Sequence, residues 1–218
     1  MKGILFKPEM IKAIVEGSKT QTRRVIKPQP LGSYLPDSYV MEELKSIPKH
    51  TIKIHDIDDP TFLHIIPAPR YQVGEVVYIK EGWCLDLRGV EPDGFERLLK
   101  YRLDGKQIVI PKEEYGWFDK AEKKEKYAFL WRSPLFLKGI YARYFIKITD
   151  VRPERLQEIT LEDIEAEGHN PFIYPDGSQE LATAEAFRWY MDLWDSINPK
   201  YLWLSNPFVW VYTFNKGE

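Results

Sequence analysis

Apolar and polar residues alternate with two different periods near the start of this chain, and the change of period marks its most informative stretch. Met10, Ile11, Ile14 and Val15 recur at helical spacing, with Lys12 and Glu16 on the opposite face. Pro8 suits the first helical position and Gly17 the position just past the last turn, so a helix is predicted between them. From Gln21 to Ile26 the run is short and β-tolerant, with Thr22 and Arg24 on one face and Arg23 and Val25 on the other. Ile4 to Phe6 reads as a short opening strand.

From Lys27 to about Tyr71 the periodicity dissolves. Pro28, Pro30, Pro36, Pro48, Pro60, Pro67 and Pro69 punctuate it, and Asp56, Asp58 and Asp59 add turn chemistry. Within it Thr51 to His55 alternates like a brief strand. Gly74 to Trp83 predicts a strand, and Leu98 to Leu103 with Gln107 to Ile110 a hairpin turned at Asp104-Gly105. Ala121 to Lys126 reads as a solvated turn, and Lys126 to Trp131 and Tyr141 to Val151 as further strands. Thr160 caps the next helix, with Asp163 completing a capping box and Gly168 ending it. Glu180 to Ile197 is the longest helical pattern, its apolar stripe running through Leu181, Ala184, Phe187, Met191, Trp194 and Ile197. Phe208 to Phe214 is a closing strand. The fold class that follows is α+β: one domain over residues 1–218, β-barrel-like, with flanking helices and an inserted arm at about 28–71.

Composition narrows the partners. A net charge of −2 gives no global positive field to draw in nucleic acid, so any such contact falls to a local patch. Lys19, Arg23, Arg24 and Lys27 supply one, which suits a pocket reading one nucleotide better than a long groove. The single cysteine, Cys84, and the scattered His50, His55, His64 and His169 predict no disulfide, no metal site and no cofactor. No apolar run reaches the ~18 residues of a membrane span. The opening residues carry no leader pattern, so the expected location is the cytoplasm.

The turn after the first helix gathers a lysine, hydroxyls and two guanidiniums, a mixture that suits a polar ligand or an activated nucleophile. It also suits a plain solvated turn. Its pattern, Gly17-x-Lys19-Thr20-x-Thr22-x-Arg24, resembles the signature of ASCH domains, relatives of the PUA family of RNA-binding β-barrels. Three later segments resemble that family in the same order. Val73 to Trp83 is similar to its Gly-Asp/Glu strand and Glu-x-Trp. Ala142 to Val151 with Leu156 to Thr160 resembles its central strand and exit, and Ile164 to Gly168 its Glu-Gly helix end.

The resemblance implies a PUA-like barrel and an RNA or modified-nucleoside partner. In the branch resembling N4-acetylcytidine amidohydrolase, the family's lysine, threonine and helix-end glutamate fall here on Lys19, Thr22 and Glu167 as the catalytic set. A threonine hydroxyl needs a neighbouring base, and a lysine whose pKa is depressed by burial and by Arg23 and Arg24 can serve. Glu167 then passes a proton to the leaving ring amine. Without the resemblance, Glu167 reads as one more surface carboxylate in an acidic helix. Arg23, Arg24, Glu81, Trp83 and Arg143 are the ligand-binding candidates. Trp83 either stacks on a base or fills the core, Glu81 either accepts from an exocyclic amine or pairs with a basic neighbour, and Arg143 meets an anion or a surface carboxylate.

Three functions follow from the family: a metal-free amidohydrolase on N-acylated cytosine-type nucleosides, a ribonuclease on single-stranded RNA, and a non-catalytic RNA- or nucleotide-binding module. The chain is about twice the length of the small amidohydrolase-like members. In that it resembles larger ones from phages and prophages.

Overall fold

The computed structural model describes residues 1–30, 39–43, 51–56, 63–86, 90–91, 94–95, 97–115, 130–171, 174 and 177–217. Among these residues the fold is α+β, with three α-helices and both parallel and antiparallel strand pairs, and none of its sheets closes into a barrel. The chain divides into two compact units, Met1–Ile11 with Val77–Phe145 and Lys12–Val76 with Ile146–Glu218.

In the first unit, β1 (Gly3–Leu5) runs parallel to β6 (Val76–Lys80) with Ile4 opposite Ile79, both buried. A three-stranded antiparallel sheet sets β10 (Leu98–Tyr101) between β7 (Trp83–Asp86) and β11 (Gln107–Val109). The hairpin at Asp104-Gly105 is where the sequence puts it. β8 (Val90–Glu91) and β9 (Gly94–Phe95) form a further short hairpin. The core of this unit is Trp83, Leu85, Leu99, Tyr101, Ile110, Leu137 and Tyr141.

Two strand expectations change here. The single strand expected over Gly74 to Trp83 is broken at Glu81-Gly82. The Gly82 carbonyl accepts from the Arg102 N–H at 2.8 Å, and Trp83 pairs with Tyr101 rather than extending β6. Of the strand expected over Lys126 to Trp131, Leu130 and Trp131 carry no strand and Arg132 makes only a single bridge to Trp83; its remaining residues, and the turn at Ala121 to Lys126, lie outside the described ones.

In the second unit, β13 (Phe208–Lys216) is the middle strand, antiparallel to β12 (Phe145–Arg155) on one side and β2 (Gln21–Val25) on the other. β12 begins four residues later than expected, after a 3-10 turn at Gly139–Tyr141. α1 (Pro8–Glu16) leads into β2 and contains the boundary between the units. α2 (Leu161–Ala166) starts at the capping box of Thr160 and Asp163, as the sequence indicates. α3 (Gln179–Ile197) packs on Leu156, Ile159, Ile164, Val209 and Val211.

The buried stripe of α3 is Ala186, Tyr190 and Trp194, while Leu181 and Ile197 are exposed. Of the expected stripe, Trp194 is buried and Phe187 and Met191 pack partly buried on the same core, so the inward face overlaps the expected one and is shifted toward Ala186 and Tyr190. The segment expected as an arm holds a three-stranded antiparallel sheet of β3 (Tyr39–Glu43), β4 (Thr51–Asp56) and β5 (Leu63–Pro67), with the brief strand read at Thr51 to His55 in its middle.

Candidate functional site

The turn after α1 is held at both ends by backbone bonds. Gly17 adopts φ +87°, and the Ser18 and Lys19 N–H groups both return to the Ala13 carbonyl. The Thr20 N–H then donates to the Ala166 carbonyl at 2.8 Å, and the Thr20 carbonyl accepts from the Phe214 N–H at 2.8 Å. The turn is thereby fixed against the last residue of α2 and against β13. Glu167 follows α2 directly, and Gly168, with φ +99°, ends the helix as glycine readily does. A Cβ on Gly168 would lie 3.2 Å from the Lys19 Cβ, so this approach of the two chain segments depends on glycine.

Lys19 and Glu167 meet across 148 positions of sequence. The Lys19 Nζ donates to Glu167 Oε2 at 2.5 Å and to the Glu167 main-chain carbonyl at 2.7 Å. The two side chains are 0% and 4% exposed. Burial lowers the Lys19 pKa below the usual lysine value; Glu167 pulls it back, and Arg24 and Arg23 add to the lowering.

Arg23 extends the cluster. Its Nη1 donates to Gln21 Oε1 at 2.6 Å and lies 3.6 Å from Glu167 Oε1, and its Nη2 reaches Asp163 Oδ2 at 2.7 Å and Glu154 Oε2 at 3.1 Å. Burial opposes charge on Arg23, but Tyr190, Glu167, Asp163 and Glu154 outweigh it and hold the guanidinium more firmly protonated. Arg152 joins from β12 through Glu154 and Asp163. Tyr190, fully inside beside Glu167, has its hydroxyl pushed well above the ordinary tyrosine value by burial and by that carboxylate.

Thr22 is buried on β2, opposite Tyr212 of β13. Among the described residues it makes no hydrogen bond to Lys19 or Glu167. Arg24 shares the Thr22 face of β2 and is half-buried; burial lowers its pKa, against the pull of Glu167, Tyr71 and Tyr212. Tyr212 accepts from the Arg70 N–H at 3.1 Å and meets the Tyr71 ring edge-on at 5.3 Å between centroids. Burial pushes its hydroxyl up to about 12.

Glu81, Trp83 and Arg143 belong to the first unit. The Arg143 fork grips Glu81 through Nε at 3.1 Å and Nη2 at 2.5 Å, while its Nη1 reaches both Asp104 oxygens at 2.9 and 3.1 Å. The guanidinium lies over the Tyr101 ring, 3.8 Å from its centroid. Trp83 is 1% exposed within the core of this unit. Of the two readings open for these residues, the geometry takes the structural one: Trp83 fills the core and Glu81 pairs with a basic neighbour.

Tyr190, Asp163, Glu154 and Arg152 are site residues that the sequence reading passed over. Asp163 was expected only as a cap, and Tyr190 falls outside the stripe assigned to α3. The alternation of Asp150, Arg152 and Glu154 along one strand was the available signal for the other two. Among the described residues, no three His, Cys, Asp or Glu side chains group as metal ligands, and no helix is long and apolar enough to cross a membrane. Compared with protein-family models, curated proteins and solved structures, the chain matches none.

Proposed function

We propose that this chain is a cytoplasmic PUA-like ASCH protein that binds RNA or a modified nucleoside at the Lys19–Glu167 cluster, and that it hydrolyses an N-acylated cytosine-type base there. The observation that carries this reading is the buried contact of Lys19 with Glu167, two residues that only the family pattern links in sequence. A surface built to grip phosphate would leave its cations in water. Lys19 and Arg23 are instead 1% and 4% exposed, which favours a pocket for one base over an open groove.

The desolvated pair suits the chemistry because burial lowers the Lys19 pKa, and the transfer of a single proton from Lys19 to Glu167 converts the ion pair to a neutral pair. In the neutral form Lys19 is a free amine and Glu167 a carboxylic acid. The Thr22 hydroxyl adds to the acyl carbonyl and its proton passes to Lys19. The C–N bond then breaks as the ring amine takes the Glu167 proton, leaving the acyl group on Thr22 and the pair in its ionic form. Water next attacks the ester, giving a proton to Glu167. The threonine oxygen leaves with the Lys19 proton, and both groups return to their starting state.

Release of acetate and cytidine from N4-acetylcytidine by the wild type, beside Lys19→Ala, Thr22→Ala and Glu167→Ala, tests this. Turnover that vanishes in all three variants is the expected result. The absence of a Thr22 hydrogen bond to Lys19 favours a second reading, a non-catalytic nucleoside pocket. Its signature is nucleoside binding without turnover, with an affinity nearly flat in salt because few phosphates are engaged.

A further inference from the structure

Residues 130–140 of the first unit carry two cations and no carboxylate. Leu130, Trp131, Leu135, Phe136 and Ile140 are 47%, 44%, 53%, 62% and 66% exposed, so five of the fourteen exposed large apolar side chains among the described residues fall within these eleven positions. Such side chains scattered singly need no explanation, but a concentration of them marks an interaction surface. The segment is firmly anchored. Leu137 and Tyr141 sink into the core of the unit, the Arg132 N–H donates to the Trp83 carbonyl at 2.6 Å, and the Lys80 Nζ donates to the Leu135 carbonyl at 2.8 Å. Ser133 caps the 3-10 turn Pro134–Phe136 by accepting from the Leu135 N–H at 3.3 Å, and Pro134 stiffens it. The fixed backbone thereby holds Leu135 and Phe136 out in solvent.

The cations around these side chains decide the occupant. Lys80 is tied to the Leu135 carbonyl, and the exposed Arg102 places its guanidinium over the Trp131 ring, 5.8 Å from the centroid. Arg132 follows Trp131 directly, while Lys138 is answered by Glu114 at 2.7 Å. By composition this unit holds sixteen Lys and Arg against twelve Asp and Glu, a net +4, and the other unit fifteen against twenty-one, a net −6. A second copy docked symmetrically here would set cation against cation. A platform for stacked bases would offer rings, whereas three of the five side chains are aliphatic and the Trp131 ring already meets Arg102. Hydrocarbon tips set among cations match the headgroup boundary of an anionic bilayer. We infer that residues 130–140 are a docking loop for an anionic membrane surface, with Leu135 and Phe136 entering the acyl boundary and Arg102, Arg132 and Lys80 meeting the headgroups. Docking of this kind is peripheral and reversible. It is independent of the Lys19 chemistry and stands or falls apart from it.

Co-sedimentation of the full chain with phosphatidylcholine vesicles, pure or containing about one-third phosphatidylserine, tests this. Binding to the mixed vesicles is expected, at least about ten-fold tighter than to the pure ones, because each cation near an anionic surface adds several-fold. Phe136→Ala, at an exposed position, is expected to weaken binding about ten-fold while the fold, checked by circular dichroism, is kept. Arg102→Gln is expected to weaken it several-fold on mixed vesicles alone. Leu204→Ala, 86% exposed in the other unit, should leave it unchanged. No sedimentation with mixed vesicles, equal binding to both kinds, or indifference to Phe136→Ala overturns the inference. Two further results also overturn it: binding of a fluorescent oligouridylate through Phe136 with none to vesicles, which assigns the loop to RNA, and a dimer that Phe136→Ala dissolves, which assigns it to a second copy.

Discussion

Glu167→Gln is the sharpest probe of the buried cluster, because the substitution keeps shape and removes one charge. At 2.5 Å the ion pair carries roughly 7 kcal/mol of attraction at an effective dielectric of 20, offset by several kcal/mol of desolvation for each ion. The net worth of the pair is therefore small, but deleting one partner leaves the other charge buried, and the typical cost is about 3–5 kcal/mol. Two reliefs reduce it here. The glutamine oxygen still accepts from Nζ, and Lys19 is free to lose its proton. With Glu167 gone, the one group raising the Lys19 pKa is lost while burial, Arg24 and Arg23 still lower it. Between that depressed value and the ordinary lysine value of 10.5, the unfolded chain binds a proton that the folded chain does not, so stability rises with pH. We expect a loss of about 3 kcal/mol at pH 6, shrinking by up to ~1.4 kcal/mol per pH unit between the Lys19 pKa of the variant and the less depressed one of the wild type, above which both proteins gain stability in parallel. Urea unfolding with an unchanged m-value, run from pH 6 to 9, reads both features. In a cycle with Lys19→Met, which leaves Glu167 with Arg23 at 3.6 Å and the Tyr190 hydroxyl, a coupling of about 2 kcal/mol is expected. A loss under about 0.5 kcal/mol that is flat in pH would refute the account, since a desolvated charge cannot lose its partner so cheaply.

Arg143→Ala strands Glu81, which is 1% exposed, and should cost about 2–3 kcal/mol, less than a fully buried pair because Arg143 itself is partly open. Arg143→Lys should recover only about half of this, as one ammonium cannot reproduce the two-pronged grip or the stacking on Tyr101, and chemical denaturation separates the two variants. Gly168→Ala forces a left-handed alanine, at about 1–2 kcal/mol, and pushes on the Lys19 side chain. Its acetate release should fall further than its folded fraction at the assay temperature, and an equal fall in both would count against the site. Thr160→Ala removes the oxygen that accepts from the Asp163 N–H and should cost about 1 kcal/mol, seen as a lower melting temperature by calorimetry.

The elements that could be read from sequence were those whose signal is local. Pro8, Gly17, Thr160, Asp163 and Gly168 punctuate helices through backbone conformation and capping bonds, and the structure uses each in that way. Patterns that depend on a partner surface were less faithful. The α3 stripe holds at Trp194, Phe187 and Met191, which pack on the core, but misses Tyr190, a polar-tipped residue that faces inward to the Arg23 and Glu167 charges, and includes Leu181 and Ile197, which are exposed. The strand through Glu81 broke because Arg102 captures the Gly82 carbonyl, a contact with a residue twenty positions away. The same distinction governs the site. That Lys19, Arg23 and Arg24 carry charge is plain from the chain, but that two of them are buried is a product of the β2–β13 pairing and of the Thr20–Ala166 bond. Burial is what turns a basic turn from a phosphate-gripping surface into a set of perturbed groups able to move a proton, so the choice between those chemistries rests on tertiary structure.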